Sequence, residues 1–244
     1  TDKDGKPLPK NPLQDLRVRQ ALSKAINRPA LVERVLGGQG IPAGQYLPDG
    51  FFGVSPIVKP EPFDPAGAKQ LLAAAGYPAG FALTLHGPND RYIEDAKTLQ
   101  AVAQMWSRVG IETKVEALPY AGYAGRAAHQ EFSVFMGGWG SGTGEVTAAL
   151  QALVATADVK KGLGTSNWGR YSNPQFDRVF EHAIAVIDDS ARERELQHAV
   201  EIAAADLPLI PLHYEISTWA LRKGLNYPGR ADQYLFATSV TAAP

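Results

Sequence analysis

The chain has 244 residues, 45% of them hydrophobic and 20% charged, with a formal net charge of -1. That describes a globular body able to bury roughly 70% of its unfolded surface without help from a metal or a disulfide. The near-neutral balance argues against a nucleic-acid or anionic-membrane partner, and the absence of cysteine excludes thiol catalysis, cysteine-ligated zinc and disulfides.

No apolar run approaches the roughly 20 residues that span a bilayer, so no direct membrane insertion is expected. A cysteine-free chain suits an oxidising compartment. The chain opens on Thr1 rather than Met, which reads as a mature or trimmed product.

Taken in order, Thr1 to Pro12 is polar and carries Pro7, Pro9 and Pro12, a lead-in or linker. Asp15 then caps a helix with Val18, Leu22, Ala25 and Ile26 on one face. Asn27-Arg28-Pro29 punctuates it, and a second helix with Leu31, Val32, Val35 and Leu36 stops at Gly37-Gly38. The stretch from Gly40 to Pro62 is too rich in Gly, Pro and aromatics for a regular element; so long a loop is functional or wraps the surface. Asp64-Pro65 starts the next helix as N-cap and N1, with Ala68, Leu71, Leu72 and Ala75 inward and Gly76 at its end.

Phe81 to His86 alternates like a strand. Glu94 to Val109 is the clearest helix, with Leu99, Val102, Ala103, Trp106 and Val109 on one face and Gly110 closing it. Ile111 to Glu116 is a half-buried strand, Tyr120 to His129 a short helix and Phe132 to Gly137 another strand. Beyond it lies Gly137-Gly138-Trp139-Gly140-Ser141-Gly142-Thr143-Gly144-Glu145, followed by a helical segment from Val146 to Val154. A strand ending in such a loop sets N–H groups, hydroxyls and one aromatic face at the mouth of a sheet, where open α/β folds hold ligands. The alternative is a flexible turn with a packing tryptophan.

Asn173-Pro174 opens a helix carrying Phe176, Val179, Phe180, Ala183 and Ile187. Ser190-Ala191-Arg192-Glu193 forms a capping box ahead of Leu196, Ala199, Val200 and Ala203. Leu209 to Leu212 and Ile216 to Leu221 read as strands, and the pattern fades from Asn226 to Pro244. Alternating helices and strands predict an α/β fold in one compact body.

Catalytic signatures are missing. The five histidines form no H-E-x-x-H or H-x-H set, so no metal site is expected. Ser141 fails the nucleophile-elbow pattern, because Trp139 and Thr143 stand where glycines are required. Neither a dinucleotide fingerprint nor a phosphate loop is present, and no cofactor is expected. The candidate contacts are those of a binding site. Trp139 offers stacking or apolar contact; Ser141, Thr143 and the loop N–H groups offer hydrogen bonds. Glu145 can take a ligand's ammonium group or simply favour the N-terminus of the next helix. Arg91, in Asn89-Asp90-Arg91-Tyr92, lines a cleft or sits in a solvated turn. Asn167 belongs to a polar-aromatic loop, Asn167-Trp168-Gly169-Arg170-Tyr171, of the kind binding sites use, though Trp168 can equally cover a core edge.

Five segments in order resemble a known family. Asp15-Leu16-Arg17-Val18-Arg19-Gln20-Ala21 through Ala25-Ile26-Asn27-Arg28 is similar to the D-x-R-V-R-x-A-x-x-x-A-I-D-R segment of the family 5 extracellular solute-binding proteins, the peptide, nickel and glutathione receptors of ABC importers. Asp64-Pro65 to Gly76-Tyr77, Trp106 to Ile111, Tyr171-Ser172-Asn173-Pro174-Gln175-Phe176-Asp177 and Leu207 to Leu212 resemble four further segments of that family.

The resemblance implies a type II periplasmic-binding-protein-like lobe, a mixed sheet flanked by helices. It matches only the later part of such receptors: a lead-in at 1–12, a C-terminal ligand-binding lobe at 13–207 and a return segment toward the hinge at 208–244. It further implies capture of a small-molecule or peptide ligand by closure against an N-terminal lobe, delivery to an ABC importer permease, a periplasmic or lipid-anchored location, and no enzyme activity. In peptide-binding members an Asp shortly after the strand-end Trp holds the peptide's ammonium group. Here that position falls on Gly142, with Glu145 the nearest carboxylate. Two rivals are a hydrolase using Ser141, which predicts a His and a carboxylate beside that hydroxyl, and an interaction module with an occluded cleft.

Overall fold

A computed structural model describes residues 1–243, so what was read for Pro244 lies outside the described residues. Three helices come first: α1 (Leu16–Lys24), α2 (Arg28–Arg34) and, after the short strand β1 (Gly40–Pro42), α3 (Pro65–Ala74). The first and third start on the caps that the sequence predicts, and Asn27, read only as part of a break, caps the second. The side chains of Asp15, Asn27 and Asp64 accept from the N–H groups of Arg17, Ala30 and Gly67, donors no helical carbonyl can reach. Val18, Ala21 and Leu22 of α1 meet Ala68 and Leu72 of α3 in the first core.

The main sheet carries β2 (Phe81–Pro88) at its centre. Helix α4 (Asp95–Arg108) leads across to β3 (Ile111–Leu118), parallel to β2 from Phe81↔Ile111 to Pro88↔Leu118. Helix α5 (Tyr120–Ala128) then returns the chain to the other side of β2, where β4 (Val134–Phe135) pairs in parallel at Leu85↔Val134 and His86↔Phe135. The inner face of α4 (Leu99, Val102, Trp106) fills the same core, and the Trp106 indole N–H donates to the Leu22 carbonyl at 3.0 Å. At the opposite end, Gly80 and Gly110 touch. A Cβ on Gly80 would lie 1.8 Å from the Gly110 carbonyl oxygen, and Gly80 has φ +75°, so both space and backbone demand glycine.

The remainder is helical around a second core. Helix α6 (Thr147–Ala149) runs into a π-helical turn at Leu150–Val154, then come α7 (Pro174–Ala183) and α8 (Asp189–Asp206). Leu150, Phe176, Phe180, Leu196 and Val200 are fully buried there. The two cores are tied by Arg19, whose guanidinium reaches Asp206 on α8 at 2.8 Å. Strand β5 (His213–Glu215) lies antiparallel to β1, and β6 (Leu225–Asn226) pairs with β7 (Thr241–Ala242).

Several sequence expectations are corrected. Gly40 to Pro62 is not wholly irregular, because its first three residues pair with β5. The strands read at 209–212 and 216–221 are absent; the strand is the His213–Glu215 stretch between them, because three residues of β1 are all it has to pair with. Ile210 and Leu212 instead pack on the first core. Helix α7 stops at Ala183 and leaves Ile187 95% exposed. The cap of α8 is Asp188, which accepts from Ala191, so that helix begins ahead of the Ser190 box. Only Val134 and Phe135 of the strand read at 132–137 join the ladder. The lead-in is tied down: Thr1 and Ala82 exchange backbone hydrogen bonds, and Leu8 packs against the first core.

Candidate functional site

Because β2 leaves toward β3 on one side and β4 arrives on the other, the carboxyl ends of β2 and β4 form a switch point. Such switch points are where open α/β sheets hold ligands. The loop after β2 is set by Asp95, whose buried carboxylate accepts from Arg91, Tyr92 and Ala96 N–H groups at 2.8–3.1 Å. Asp90 accepts from the Tyr120 N–H at 2.7 Å and fixes the start of α5 beside it. Between these anchors the Arg91 guanidinium lies over the Tyr92 ring at 5.7 Å and the Tyr120 ring at 5.3 Å. Among the described residues no carboxylate pairs with it.

Tyr92 joins this loop to the glycine loop. Its phenol oxygen accepts from the Gly138 N–H at 2.9 Å, and burial raises its pKa. A Cβ on Gly138 would meet the Tyr92 ring at 2.7 Å, so glycine is required for the approach. Two more bonds hold the root of the loop: the Tyr123 hydroxyl donates to Met136 O at 2.6 Å, and Met136 N–H donates to His86 O at 2.8 Å. Beyond them Trp139 stands 40% exposed, and the N–H groups from Trp139 to Thr143 have no acceptor among the described residues.

The other predicted residues are placed differently. Ser141 Oγ donates to the Glu145 carbonyl at 3.0 Å and accepts from the Gly144 and Glu145 N–H groups, closing a local turn with Thr143 Oγ1 at 3.4 Å. No histidine adjoins it among the described residues. The Glu145 carboxylate pairs with Arg192 on α8 at 2.8 Å. Asn167 is buried, its amide bonded to Ala155 O, Tyr171 O and Tyr171 N–H. Its neighbour Trp168 tilts against Phe135 of β4 at 5.8 Å. The structure thus gathers Arg91, Tyr92, Tyr120 and Trp139 at one rim and holds Glu145 and Asn167 to the scaffold behind it.

Two rim residues escape a reading of the sequence. Tyr120 was legible only as the first residue of a helix. Glu215 fell just before a misplaced strand, yet its carboxylate accepts from the Ile93 N–H at 3.3 Å on the Arg91 loop. A separate hollow of about 520 Å³ opens between Asp158, Leu163 and Glu181. Its Asp177 is bonded to Thr156 N–H and Oγ1, which makes it part of the second core's loop packing rather than of the rim.

This fold and rim define a lobe of the type II periplasmic binding proteins. The chain belongs to the family described as "Bacterial extracellular solute-binding proteins, family 5 Middle", which matches residues 3–161. It is 35% identical over 222 residues to the glutathione-binding protein GsiB of Escherichia coli (strain K12), covering 88% of this chain and 42% of that one. Heme-binding protein A of Haemophilus influenzae is 28% identical over 215 residues, 85% of this chain and 38% of its own length. The structure of HbpA2 from Haemophilus parasuis superposes with a TM-score of 0.86 at 27% identity, covering 96% of this chain and 46% of that one. The chain spans about two fifths of the length of the curated relatives it matches.

Proposed function

We propose that this chain is the C-terminal lobe of an ABC-importer receptor, located in the periplasm or lipid-anchored at the cell surface. The receptor captures a peptide-like or other small polar solute by closing on it and hands it to a permease. The observation that carries the reading is the rim itself: among the described residues, the Arg91 guanidinium has no carboxylate partner and five loop N–H groups have no acceptor, and they lie with the exposed Trp139 indole where two parallel strands end. Such a wall offers an anionic group on the solute a cation and donors, and offers its apolar part an aromatic face. Ser141 and Thr143 shape the loop, and Glu145 and Asn167 brace it from behind. No reaction is assigned, since the Ser141 hydroxyl points its hydrogen at a carbonyl instead of a base.

The lobe occupies 13–207, with 1–12 as its lead-in and 208–244 as the return toward the hinge. Support for a second lobe comes from the tail, where Tyr234, Leu235 and Phe236 are 62%, 68% and 45% exposed. Three adjacent exposed apolar side chains suit an intramolecular interface. Calorimetry tests the reading. The intact receptor binds its co-purified solute, Trp139→Ala and Arg91→Ala weaken it, and this chain alone binds weakly because buried ligand area falls with one wall. Undiminished affinity in the isolated chain, or in both variants, would refute it.

A further inference from the structure

We infer that Tyr123 of α5 is a positioning residue for solute capture: its buried hydroxyl, bonded to Met136 O, fixes where the glycine loop leaves β4 and so where Trp139 stands relative to Arg91. The inference rests on the rim reading above and adds to it a residue that is itself closed off from the solute.

Helix α5 carries two tyrosines one turn apart, Tyr120 and Tyr123, with ring centroids at 6.3 Å. Tyr120 is exposed at the rim, where its ring takes the Arg91 guanidinium. Tyr123 is buried and stacks on Phe132 at 5.5 Å, and Phe132 stacks in turn on His86 of β2 at 4.2 Å. From that stack the Tyr123 hydroxyl donates to Met136 O at 2.6 Å, while Met136 N–H donates to His86 O at 2.8 Å. Met136 is thus gripped by the sheet through its N–H and by α5 through its carbonyl. One turn further along α5, Arg126 pairs with Glu116 of β3 at 2.9 Å and lies over the Phe132 ring at 4.8 Å, which ties the helix to the sheet.

Between Met136 and Trp139 stand only Gly137 and Gly138. A Cβ on Gly137 would have nothing within 4 Å, so no side chain packs there to direct the chain. Direction comes from hydrogen bonds to the backbone, and two phenols supply them: Tyr123 on Met136 O and Tyr92 on Gly138 N–H. Burial pushes the Tyr123 phenol well above its ordinary pKa, so the hydroxyl keeps its proton and stays a donor. Without it the Met136 carbonyl loses its partner, and the peptide that follows is free to turn about an unrestricted glycine. Helix α5 therefore meets the cation of the rim through Tyr120 and sets the indole through Tyr123. The spacing of those two contacts belongs to the helix rather than to either loop.

The test is a double-mutant cycle on the intact receptor, titrated calorimetrically with glutathione and with the solute released from the purified receptor and identified by mass spectrometry. Tyr123→Phe keeps the ring in its stack and removes only the hydroxyl. Tyr214→Phe is the matched control, because that hydroxyl also donates to a backbone carbonyl, Gln45 O at 3.0 Å, away from the root of the loop. Each variant loses one such bond, so a shared fall in melting temperature cancels between them. Tyr123→Phe should weaken binding about 3- to 10-fold, the range of one neutral hydrogen bond, and Tyr214→Phe should not. On a Trp139→Ala background Tyr123→Phe should add nothing, whereas on an Arg91→Ala background it should cost its full factor. The emission of Trp139, isolated as the difference from Trp139→Phe, should shift in Tyr123→Phe and stay in place in Tyr214→Phe. Unchanged affinity in Tyr123→Phe, equal losses in the two tyrosine variants, an unmoved Trp139 emission, or full additivity with Trp139→Ala would overturn the inference. Trp139→Ala alone separates the two levels. If it weakens binding while Tyr123→Phe does not, only the Tyr123 assignment fails; if it has no effect, or neither solute binds the parent, the rim reading fails and takes the inference with it.

Discussion

The Glu145 carboxylate lies 2.8 Å from the Arg192 guanidinium, and that guanidinium rests 4.5 Å over the Phe52 ring. The Glu145 backbone also bridges to Phe52, with Phe52 N–H donating to Gly144 O and Val146 N–H to Phe52 O, both at 3.0 Å. The end of the glycine loop is thus stapled to α8 and to the loop before α3. Glu145 acts as a brace, so Glu145→Gln should lower the melting temperature by less than about 4 °C. Differential scanning calorimetry checks this.

Two glycines of the same loop should respond oppositely to alanine. Gly138 has the Tyr92 ring 2.7 Å from its would-be Cβ, while Gly140 has nothing within 4 Å. Gly138→Ala should push Tyr92 away, break its bond from the Gly138 N–H and weaken solute binding about tenfold or more. Gly140→Ala should bind as the parent does. Similar affinities for the two variants would contradict the geometry.

Arg28 is 2% exposed and donates to Pro211 O, Ser23 O, Glu61 O and Ser23 Oγ. Burial lowers its pKa to about 10, still well above neutrality, so it is charged in the core. It clasps the segment that precedes β5 to the turn between α1 and α2. Arg28→Met would strand four acceptors and should destabilise by about 2–4 kcal/mol, with Arg28→Lys close behind because the fork is lost. Urea denaturation midpoints measure this.

His213 has a pKa lowered by burial, with Glu215 opposing the shift, and its Nδ1 is buried without a partner. The folded state therefore holds it neutral. The corresponding stability is fully present above the ordinary value of 6.5 and is lost as pH falls below it toward the folded value. Asp15 and Glu116, held low by Arg17 and Arg126, act only below their ordinary 3.8 and 4.5. His213→Gln should flatten the stability profile just below pH 6.5 and leave the carboxylate limb, below 4.5, unchanged. An unaltered slope in that window would count against the assignment.

The segments that betray the family prove to be scaffold, which is why they were legible. Asp15 caps α1, Arg19 ties the two cores, Asn173 caps α7 and Asp177 holds Thr156. The two caps are local and leave a pattern in the sequence, whereas Arg19 and Asp206 meet across 187 residues and Asp177 and Thr156 across 21, so those segments were legible as helices but their pairings were not. The glycine loop was legible too, since a strand, a turn and a helix adjoin in order. The partners of Glu145 and Asn167 were not, because Arg192 lies 47 residues away and the Asn167 amide folds back on its own loop. Glu215 was invisible for the same reason: its neighbour Ile93 is 122 residues distant, and no propensity signals that meeting. The strand errors at 209–221 share this cause, as pairing depends on what β1 offers across the gap.

The contact of Gly80 with Gly110 locks β2 against β3 at the end remote from the rim. Insertions or exchanges in the loops after β2 and β4 are then taken up where they occur, without slipping the ladder from Phe81↔Ile111 onward. A designer wanting a sensor for another solute can rebuild the whole upper edge of this lobe and keep its floor untouched.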